Sequence, residues 1–194
     1  MKSLFTAFCL LIVLSYNNHI WAQESPIYDR AEDQLSNTDT IPDFRSMVNK
    51  LKLTGTVYQS DGVTPAKDVI IFIEQPDENG DFDLRKSGDE RYVFHRSWVK
   101  TGADGKYTFY TFVPGNDRRY NQMSQIFPII KETSKEEVQL ASLLFDSDPL
   151  LTKRCRKRLV KKGGEGRILN TTAKDGLLIA EKDIVLSNHS EPIK

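Results

Sequence analysis

Apolar and polar residues alternate along several stretches of the chain, with the period of two that is typical of half-buried β-strands. In residues 51–57, leucine, glycine and valine alternate with lysine and threonine. In residues 106–113, two sets of aromatic, threonine and valine side chains fall on opposite faces. Residues 69–73 (VIIFI) are apolar throughout, which predicts a strand buried on both faces. Residues 125–131 form the next predicted strand.

Turn-forming residues separate the predicted strands. The stretch DENGDFD has Asn-Gly at its centre, which is typical of a tight turn. The stretch ADG predicts a hairpin that joins residues 91–101 to residues 106–113. The stretch KDG predicts a closing hairpin between residues 167–171 and 177–186. Many short strands with Gly, Pro and Asp turns predict an all-β fold, an antiparallel β-sandwich.

One segment, Lys153–Lys161, is predicted to be a helix. It follows the turn SDPLLT, in which Asp148 or Thr152 can cap the first helical turn. The predicted architecture is therefore an all-β sandwich with one short helix. The residues expected to be mostly buried in it are Val69, Ile71, Ile73, Phe109, Ile126 and Leu144.

The first residues have the layout of a secretory signal peptide, predicted to be residues 1–22. A basic start precedes the apolar run LFTAFCLLIVL, and Ala22 offers a small residue for cleavage. The run is shorter than the roughly 20 apolar residues that span a bilayer. An uncleaved N-terminal anchor is the alternative. Export predicts a secreted or periplasmic protein with no integral membrane segment after cleavage. Residues 23–49, polar and acidic, are predicted to be a flexible N-terminal arm, and residues 50–190 the folded domain.

Charge limits the classes of binding partner, and the cysteine count limits disulfide formation. Lys+Arg and Asp+Glu number 27 each, so no overall field favours nucleic acid or a membrane surface. Basic charge is concentrated in residues 153–162, which is typical of a solvated helix face, with an anionic partner as the alternative. Cleavage of the signal peptide removes Cys9 and leaves Cys155, so the domain has no internal disulfide. Cys155 lies in the basic run KRCRKR, where it is either a functional thiol or a residue that is simply tolerated.

Motifs that carry catalysis are scarce. The chain has no HExxH, no paired-cysteine motif, no Gly-rich phosphate loop and no G-x-S-x-G. Outside the signal peptide the histidines are His95 and His189, and His189 lies in a polar tail. His95 lies beside Arg96 in a predicted strand, with no serine marked as its partner. We therefore interpret His95 as a structural residue.

The order of the motifs resembles that of the intradiol ring-cleavage dioxygenases. The motifs are LTGTVYQSDG, D-x-N-G after an apolar strand, SWVKT, DGKYTFYT, IFPIIKE and LLFDSDPLLT. They extend over residues 50–186, and the likeness is strongest to short secreted members typical of Bacteroidetes-type bacteria. The resemblance implies an Ig-like or transthyretin-like β-sandwich, in agreement with the strand pattern.

The resemblance also implies where an iron site would lie. Family members hold Fe(III) with two tyrosinates and two histidines. The equivalent positions here are Phe82, Asp117, Gln125 and Phe127, and a shift in the loop GNDRRYNQ would offer Tyr120 in place of Asp117. Because all four residues depart from the family pattern, we expect no metal, no cofactor and no ring cleavage.

Three functions remain open at this point. The first is a dioxygenase-like protein that has lost catalysis and binds a ligand, such as a small aromatic molecule or a glycan. The second is an active Fe(III) dioxygenase of catechol-type aromatics whose rearranged site uses His95, Tyr120, Asp117 or Tyr92. The third is a structural or interaction domain whose pocket is filled by Phe82 and Phe127.

Overall fold

Two sheets face each other in residues 24–187, the range that the computed structural model describes. The predicted signal peptide lies outside this range. The strands are β1 (Thr38–Thr40), β2 (Lys50–Tyr58), β3 (Ile70–Glu74), β4 (Leu84–Ser87), β5 (Glu90–Val93), β6 (Arg96–Lys100), β7 (Lys106–Phe112), β8 (Gln125–Lys131), β9 (Val138–Gln139), β10 (Leu143–Phe145), β11 (Ile168–Leu169), β12 (Thr172–Lys174), β13 (Leu177–Glu181) and β14 (Ile184–Val185). The helix α1 (Lys153–Lys161) follows β10, and 3-10 turns occupy Pro26–Tyr28, Glu32–Gln34 and Glu165–Arg167.

The strands are arranged as an all-β sandwich, as predicted. The first sheet has the order β1-β7-β2-β13-β12, with β14 also paired to β2. The second has the order β11-β10-β8-β3-β6, with β9 also paired to β8, and β4 and β5 form a separate hairpin. The central pairs β2–β7, β3–β8 and β3–β6 are antiparallel. Four flanking pairs are parallel, namely β1–β7, β10–β11, β13–β2 and β14–β2.

The core lies between the sheets and confirms the predicted burial. Leu53 and Phe109 from the first sheet pack with Ile71, Ile126 and other residues of the second. All six residues predicted to be buried are at most 2% exposed: Val69, Ile71, Ile73, Phe109, Ile126 and Leu144. The alternation in β7 is also observed, since Tyr107, Phe109 and Thr111 are buried while Thr108 and Tyr110 are half-buried.

The strand β3 is buried on both faces, because the segment before β2 covers its outer face. Ile27 and Leu35 pack on Ile70, Phe72 and Trp98 there. The structure thus differs from the predicted arm of residues 23–49. In the described part of that segment, β1 pairs with β7. Single apolar residues such as Ile27 are buried there, although the segment has no hydrophobic periodicity.

Acidic side chains of the N-terminal segment bind the outer face of the second sheet. Asp39 Oδ2 accepts hydrogen bonds from Ser97 Oγ at 2.6 Å and from the Trp98 amide at 3.1 Å. Glu32 lies 3.4 Å from Lys100 Nζ and 3.2 Å from Lys131 Nζ. Glu32, one of the acidic residues that suggest a solvated arm, therefore forms ion pairs with lysines distant in sequence.

The hairpin predicted around ADG is not formed. Residues 91–101 divide into β5 and β6, and β6 pairs with β3 in the second sheet while β7 belongs to the first. The connection crosses between sheets, where Thr101 Oγ1 donates to the Ala66 carbonyl at 2.8 Å and accepts from the Val69 amide at 3.0 Å. These side-chain bonds tie the end of β6 to the segment before β3.

The closing hairpin is displaced toward the C-terminus. It joins β12 to β13 around Asp175 and Gly176, both at positive φ. Residues 168–169, which were predicted to belong to it, instead pair parallel to β10 in the other sheet. The turn is therefore at the predicted position, but the first strand of the hairpin is Thr172–Lys174.

The helix α1 has the predicted bounds. Thr152 is its N-cap, because Thr152 Oγ1 accepts from the Cys155 amide at 3.3 Å, so Asp148 has a different role. Arg156 pairs with Asp146, while a row of basic side chains faces solvent: Lys153, Arg154, Lys157, Arg158 and Lys161. Within residues 24–187, no helix has the length and apolar character needed to cross a bilayer.

Candidate functional site

Two phenylalanines meet on the outer face of the second sheet. In β8, Ile126 and Ile130 point into the core, so Gln125 and Phe127 lie on the opposite face. The ring of Phe127 packs against that of Phe82, with centroids 5.8 Å apart and planes tilted by 44°. This separation is typical of a favourable aromatic pair. The structure therefore brings together two of the four residues that the resemblance places at ligand positions.

Backbone contact joins the loop after β3, which carries Phe82, to the loop after β7. Asp77 Oδ1 accepts from the amides of Asn79 at 2.8 Å and Asp81 at 3.0 Å, which closes the first loop. The Gly115 amide donates to the Asp77 carbonyl at 2.8 Å. A Cβ added at Gly115 would lie 2.3 Å from the Glu78 carbonyl oxygen. Glycine is therefore required for this close approach.

Asp117 is engaged within its own turn. Its Oδ1 accepts from the amides of Arg119 at 2.8 Å and Tyr120 at 3.3 Å, and its backbone forms a bridge with Gln122. Tyr120 is 72% exposed, with the Arg119 guanidinium 5.9 Å from its ring. The residue that a loop shift would place at the site therefore offers no buried phenol.

A buried carboxylate, Asp148, fixes this end of the sandwich. Asp148 is 6% exposed. Its Oδ2 accepts from the Ser124 amide at 2.7 Å, and its Oδ1 accepts from Asn116 Nδ2 at 3.1 Å and the Leu150 amide at 2.9 Å. Asp148 thus ties the loop after β7 to the residue before β8. Sequence reasoning considered it only as a helix cap, although it lies in the motif FDSDPLLT.

The amide of Gln125 is held by a polar chain. Its Oε1 accepts from Ser142 Oγ at 2.9 Å. Arg167 donates from Nη2 to Ser142 Oγ at 2.7 Å and from Nε to the Ser142 carbonyl at 2.8 Å. Burial lowers the pKa of Arg167 from its usual range. The Gln125 oxygen is therefore occupied, and its NH₂ group remains as the donor.

Glu74 is a site residue that sequence reasoning missed. It is the register partner of Phe127 in β8 and of Arg96 in β6. Paired residues lie side by side on one face of a sheet, so a carboxyl group stands beside the aromatic pair. Burial raises the pKa of Glu74, and Arg96 opposes that shift. No local pattern signals this residue, because its neighbours are set by pairing between distant strands.

The residues proposed for a rearranged metal site make other contacts in the structure. His95 is 4% exposed and packs against the rings of Phe94 and Phe112, at 5.2 and 5.1 Å. Neither of its ring nitrogens has a hydrogen-bond partner among residues 24–187. The ring of Tyr92 lies under the Arg96 guanidinium at 4.1 Å. In the described range, no group of three His, Cys, Asp or Glu side chains is arranged to hold a metal ion.

The chemistry of the residues at the ligand-equivalent positions does not fit ferric iron. Phe82 and Phe127 have no donor atoms. The Asp117 carboxylate caps its turn, and the Gln125 oxygen binds Ser142. Amide and carboxylate oxygens suit weak contacts with hard cations, and the set contains neither imidazole nor phenolate.

Comparison with known proteins identifies the fold. No protein-family model and no curated protein matches the chain. Among solved structures, the intradiol ring-cleavage dioxygenase from Tetranychus urticae is similar with a TM-score of 0.60 and 17% identity, over 81% of this chain and 89% of that one. The dioxygenase domain of a carbohydrate-binding fusion protein from Streptomyces sp. SirexAA-E gives a TM-score of 0.57 and 18% identity, over 78% and 87%.

A larger enzyme shares the same fold. Catechol 1,2-dioxygenase from Acinetobacter sp. ADP1 gives a TM-score of 0.56 and 13% identity, over 78% of this chain and 57% of the enzyme. At these identities the similarity establishes the fold and does not extend to activity. The chain therefore has the intradiol dioxygenase fold that the motif order predicted.

Proposed function

We propose that this chain, with its intradiol dioxygenase fold, is an exported protein that binds no ferric iron, cleaves no aromatic ring and acts as a binding module. The observation that carries the proposal is the contact of Phe82 with Phe127, 5.8 Å between ring centroids. The resemblance requires a tyrosinate and an imidazole at these positions. Neither phenyl ring has a donor atom, so neither side chain can coordinate a metal ion.

The loss of ligands is too extensive for residual iron binding. Loss of an outer-shell partner alone typically costs 10–100-fold in metal affinity. Here all four positions that the resemblance assigns to metal ligands are changed, and the two residues with side-chain oxygen atoms are already hydrogen-bonded within the protein. Fe(III) would therefore find neither the charge nor the geometry that catecholate oxidation needs.

The same surface supports ligand binding. Phe82 and Phe127 are half-buried, so part of the aromatic pair remains accessible. Glu74, whose pKa is raised mainly by burial, and the NH₂ group of Gln125 add polar contacts nearby. An aromatic surface with a few polar groups is typical of small-molecule sites. A small aromatic molecule or a glycan is the ligand class proposed, and the balanced charge disfavours nucleic acid.

Export rests on the first residues of the chain. The basic start, the apolar run and Ala22 support a signal peptide cleaved near Gln23 and a secreted or periplasmic location. Mass spectrometry of the exported protein tests this directly. A chain that retains residues 1–22 would contradict cleavage.

Iron content per chain, with the visible tyrosinate-to-iron band, tests the central proposal. We expect neither stoichiometric iron nor the band, and no conversion of catechol to a ring-opened muconate above a Phe127→Ala control. One iron per chain with the band would establish the rearranged enzyme instead. The protein should also be screened with small aromatics and oligosaccharides. A ligand whose binding is weakened by Phe127→Ala supports the proposal that the protein is a binding module. Absence of any binding would favour a structural domain whose pocket is filled.

A further inference from the structure

A cavity of about 220 Å³ lies between the two sheets, separate from the aromatic pair on the outer face. Leu53 and Phe109 of the first sheet and Ile71, Ile73 and Leu143 of the second line its walls. These are inward-facing core residues, whereas Phe82 and Phe127 do not line the cavity. The interior is apolar.

The cavity is large enough for a small organic molecule. An engineered cavity of about 150 Å³ lined by Leu, Ile and Phe stays dry and binds benzene. The volume here exceeds that size. Val185, which is 55% exposed, lies at the mouth, so the cavity reaches solvent. A single ring or a short alkyl chain can therefore be buried.

The mouth carries positive charge. Arg167 and Lys182 both line it. Lys182 Nζ donates to the Gly166 carbonyl at 2.7 Å, and the hydrogen bonds of Arg167 go to Ser142. Among residues 24–187, neither cation lies within 4 Å of a carboxylate.

The guanidinium of Arg167 retains free donors. A guanidinium has five N–H donors, and two are engaged here. One acid, Asp183, also lines the cavity beside these two cations, and its Oδ1 accepts from the Thr56 amide at 2.8 Å. A partly desolvated arginine with free N–H groups is suited to a carboxylate, which it can bind with two parallel hydrogen bonds.

We propose that the cavity between the sheets binds a small carboxylate with an apolar body, whose carboxylate contacts Arg167 and whose body occupies the space between Leu53 and Ile73. The shared chemistry fits two sources, a short-chain fatty acid or a one-ring aromatic acid. Ser142 hydrogen-bonds both Arg167 and Gln125, but the ligand here would contact other residues than those of the outer-face site, so that proposal can fail without affecting this one.

Titration of the full exported chain with hexanoate and with benzoate, against hexanol and benzyl alcohol, tests the proposal by calorimetry or NMR. We expect at least one carboxylate to bind at least 10-fold more tightly than its alcohol, and the preferred acid distinguishes chain from ring. Equal affinity of acid and alcohol, or no binding at millimolar concentration, overturns the proposal. This comparison uses the unmodified protein.

Two variants locate the ligand. Arg167→Gln should weaken carboxylate binding at least 10-fold and leave the alcohol unchanged, whereas Arg154→Gln on α1 should change neither. Ala141→Phe fills the cavity and should abolish binding of both, whereas the exposed Ala173→Phe should not. Unchanged affinity in a folded Ala141→Phe protein contradicts the assignment. Phe127→Ala, on the outer face, should leave hexanoate binding unaltered.

Discussion

The ring of Phe82 contacts the ring of Phe127 at a centroid distance of 5.8 Å, and this contact joins the loop after β3 to the outer face of β8. The two residues are 45 positions apart in sequence (127 − 82), and neither carries a polar side-chain atom. The resemblance places oxygen and nitrogen ligands at these positions. Neither phenyl ring offers a donor atom, which is why we propose that the protein binds no iron here.

Restoring the ligands should restore the metal. The combined variant Phe82→Tyr, Asp117→Tyr, Gln125→His and Phe127→His is expected to bind about one iron per chain, because it supplies two phenolates and two imidazoles. Metal analysis and the visible tyrosinate-to-iron band measure this. The variant with both tyrosines but neither histidine is the control and should bind less. If the full variant folds and gains no iron, these four residues do not form a former site.

Close backbone contact at Gly115 should make that position intolerant of any side chain. Gly115→Ala places Cβ 2.3 Å from the Glu78 carbonyl oxygen, so the two loops must separate. We expect a loss of about 2 kcal/mol or more in the free energy of unfolding, measured by urea denaturation. At Gly102 an added Cβ meets Asp104 Oδ1 at 3.5 Å, an ordinary contact. Gly102→Ala should therefore be nearly neutral, and equal effects of the two changes would refute the loop contact.

Asp148 should be important for stability although it is not a helix cap. In Asp148→Ala the amides of Ser124 and Leu150 lose their acceptor at a buried position. Unsatisfied buried donors cost about 1–3 kcal/mol each, so we expect a total loss on the order of 3 kcal/mol by chemical denaturation. Asp146→Ala, which removes an exposed partner of Arg156, is the control and should cost less than about 1 kcal/mol.

The stability of the fold should fall with acidification because of His95. Burial lowers the pKa of His95 below 6.5, more than the nearby Asp43, Asp83 and Asp77 raise it, and Arg85 adds to the lowering. The unfolded chain therefore takes up a proton first, and the neutral ring stabilises the folded state above pH about 6.5. That contribution is lost as pH falls through 6.5 toward the lower folded pKa.

Replacing His95 by phenylalanine isolates this effect. His95→Phe keeps an aromatic ring between Phe94 and Phe112 and removes the proton uptake. Between pH 7.5 and 5, the variant should lose less unfolding free energy than the unmodified protein, by at most about 1.4 kcal/mol per pH unit. Denaturation curves at several pH values measure the difference. Parallel pH profiles of the two proteins would exclude a role for His95.

The segment before β2 should contribute to global stability. Ile27 is 1% exposed and packs with Phe72 and Trp98, so Ile27→Ala is expected to cost about 2–5 kcal/mol. Val48, which lies in the same segment and is 80% exposed, provides the control, and Val48→Ala should change stability by less than about 0.5 kcal/mol. An Ile27→Ala protein as stable as the unmodified one would mean that the segment does not dock in solution.

Local pattern was sufficient to predict the principal elements. The period of two identifies β2 and β7 and the faces they bury, and the apolar run of β3 indicates burial on both faces. The bounds of α1 agree with the structure, because its cap and its end are encoded by adjacent residues. The order of the motifs also predicts the fold, since turns and strands keep their spacing when most side chains differ.

The partners of these elements were decided by tertiary structure. The sequence predicts a strand within residues 91–101, yet it does not show that β6 pairs with β3 and lies in the sheet opposite β7. Residues 24–49 have no period, and they dock because Ile27 and Asp39 meet side chains far away in sequence. Glu74 lies beside Phe127 because of the register between β3 and β8. Arg167 lines the cavity because β11, which follows it, pairs with β10. A residue's own neighbours determine its secondary structure, whereas its burial partners and charges depend on strands that only folding brings together.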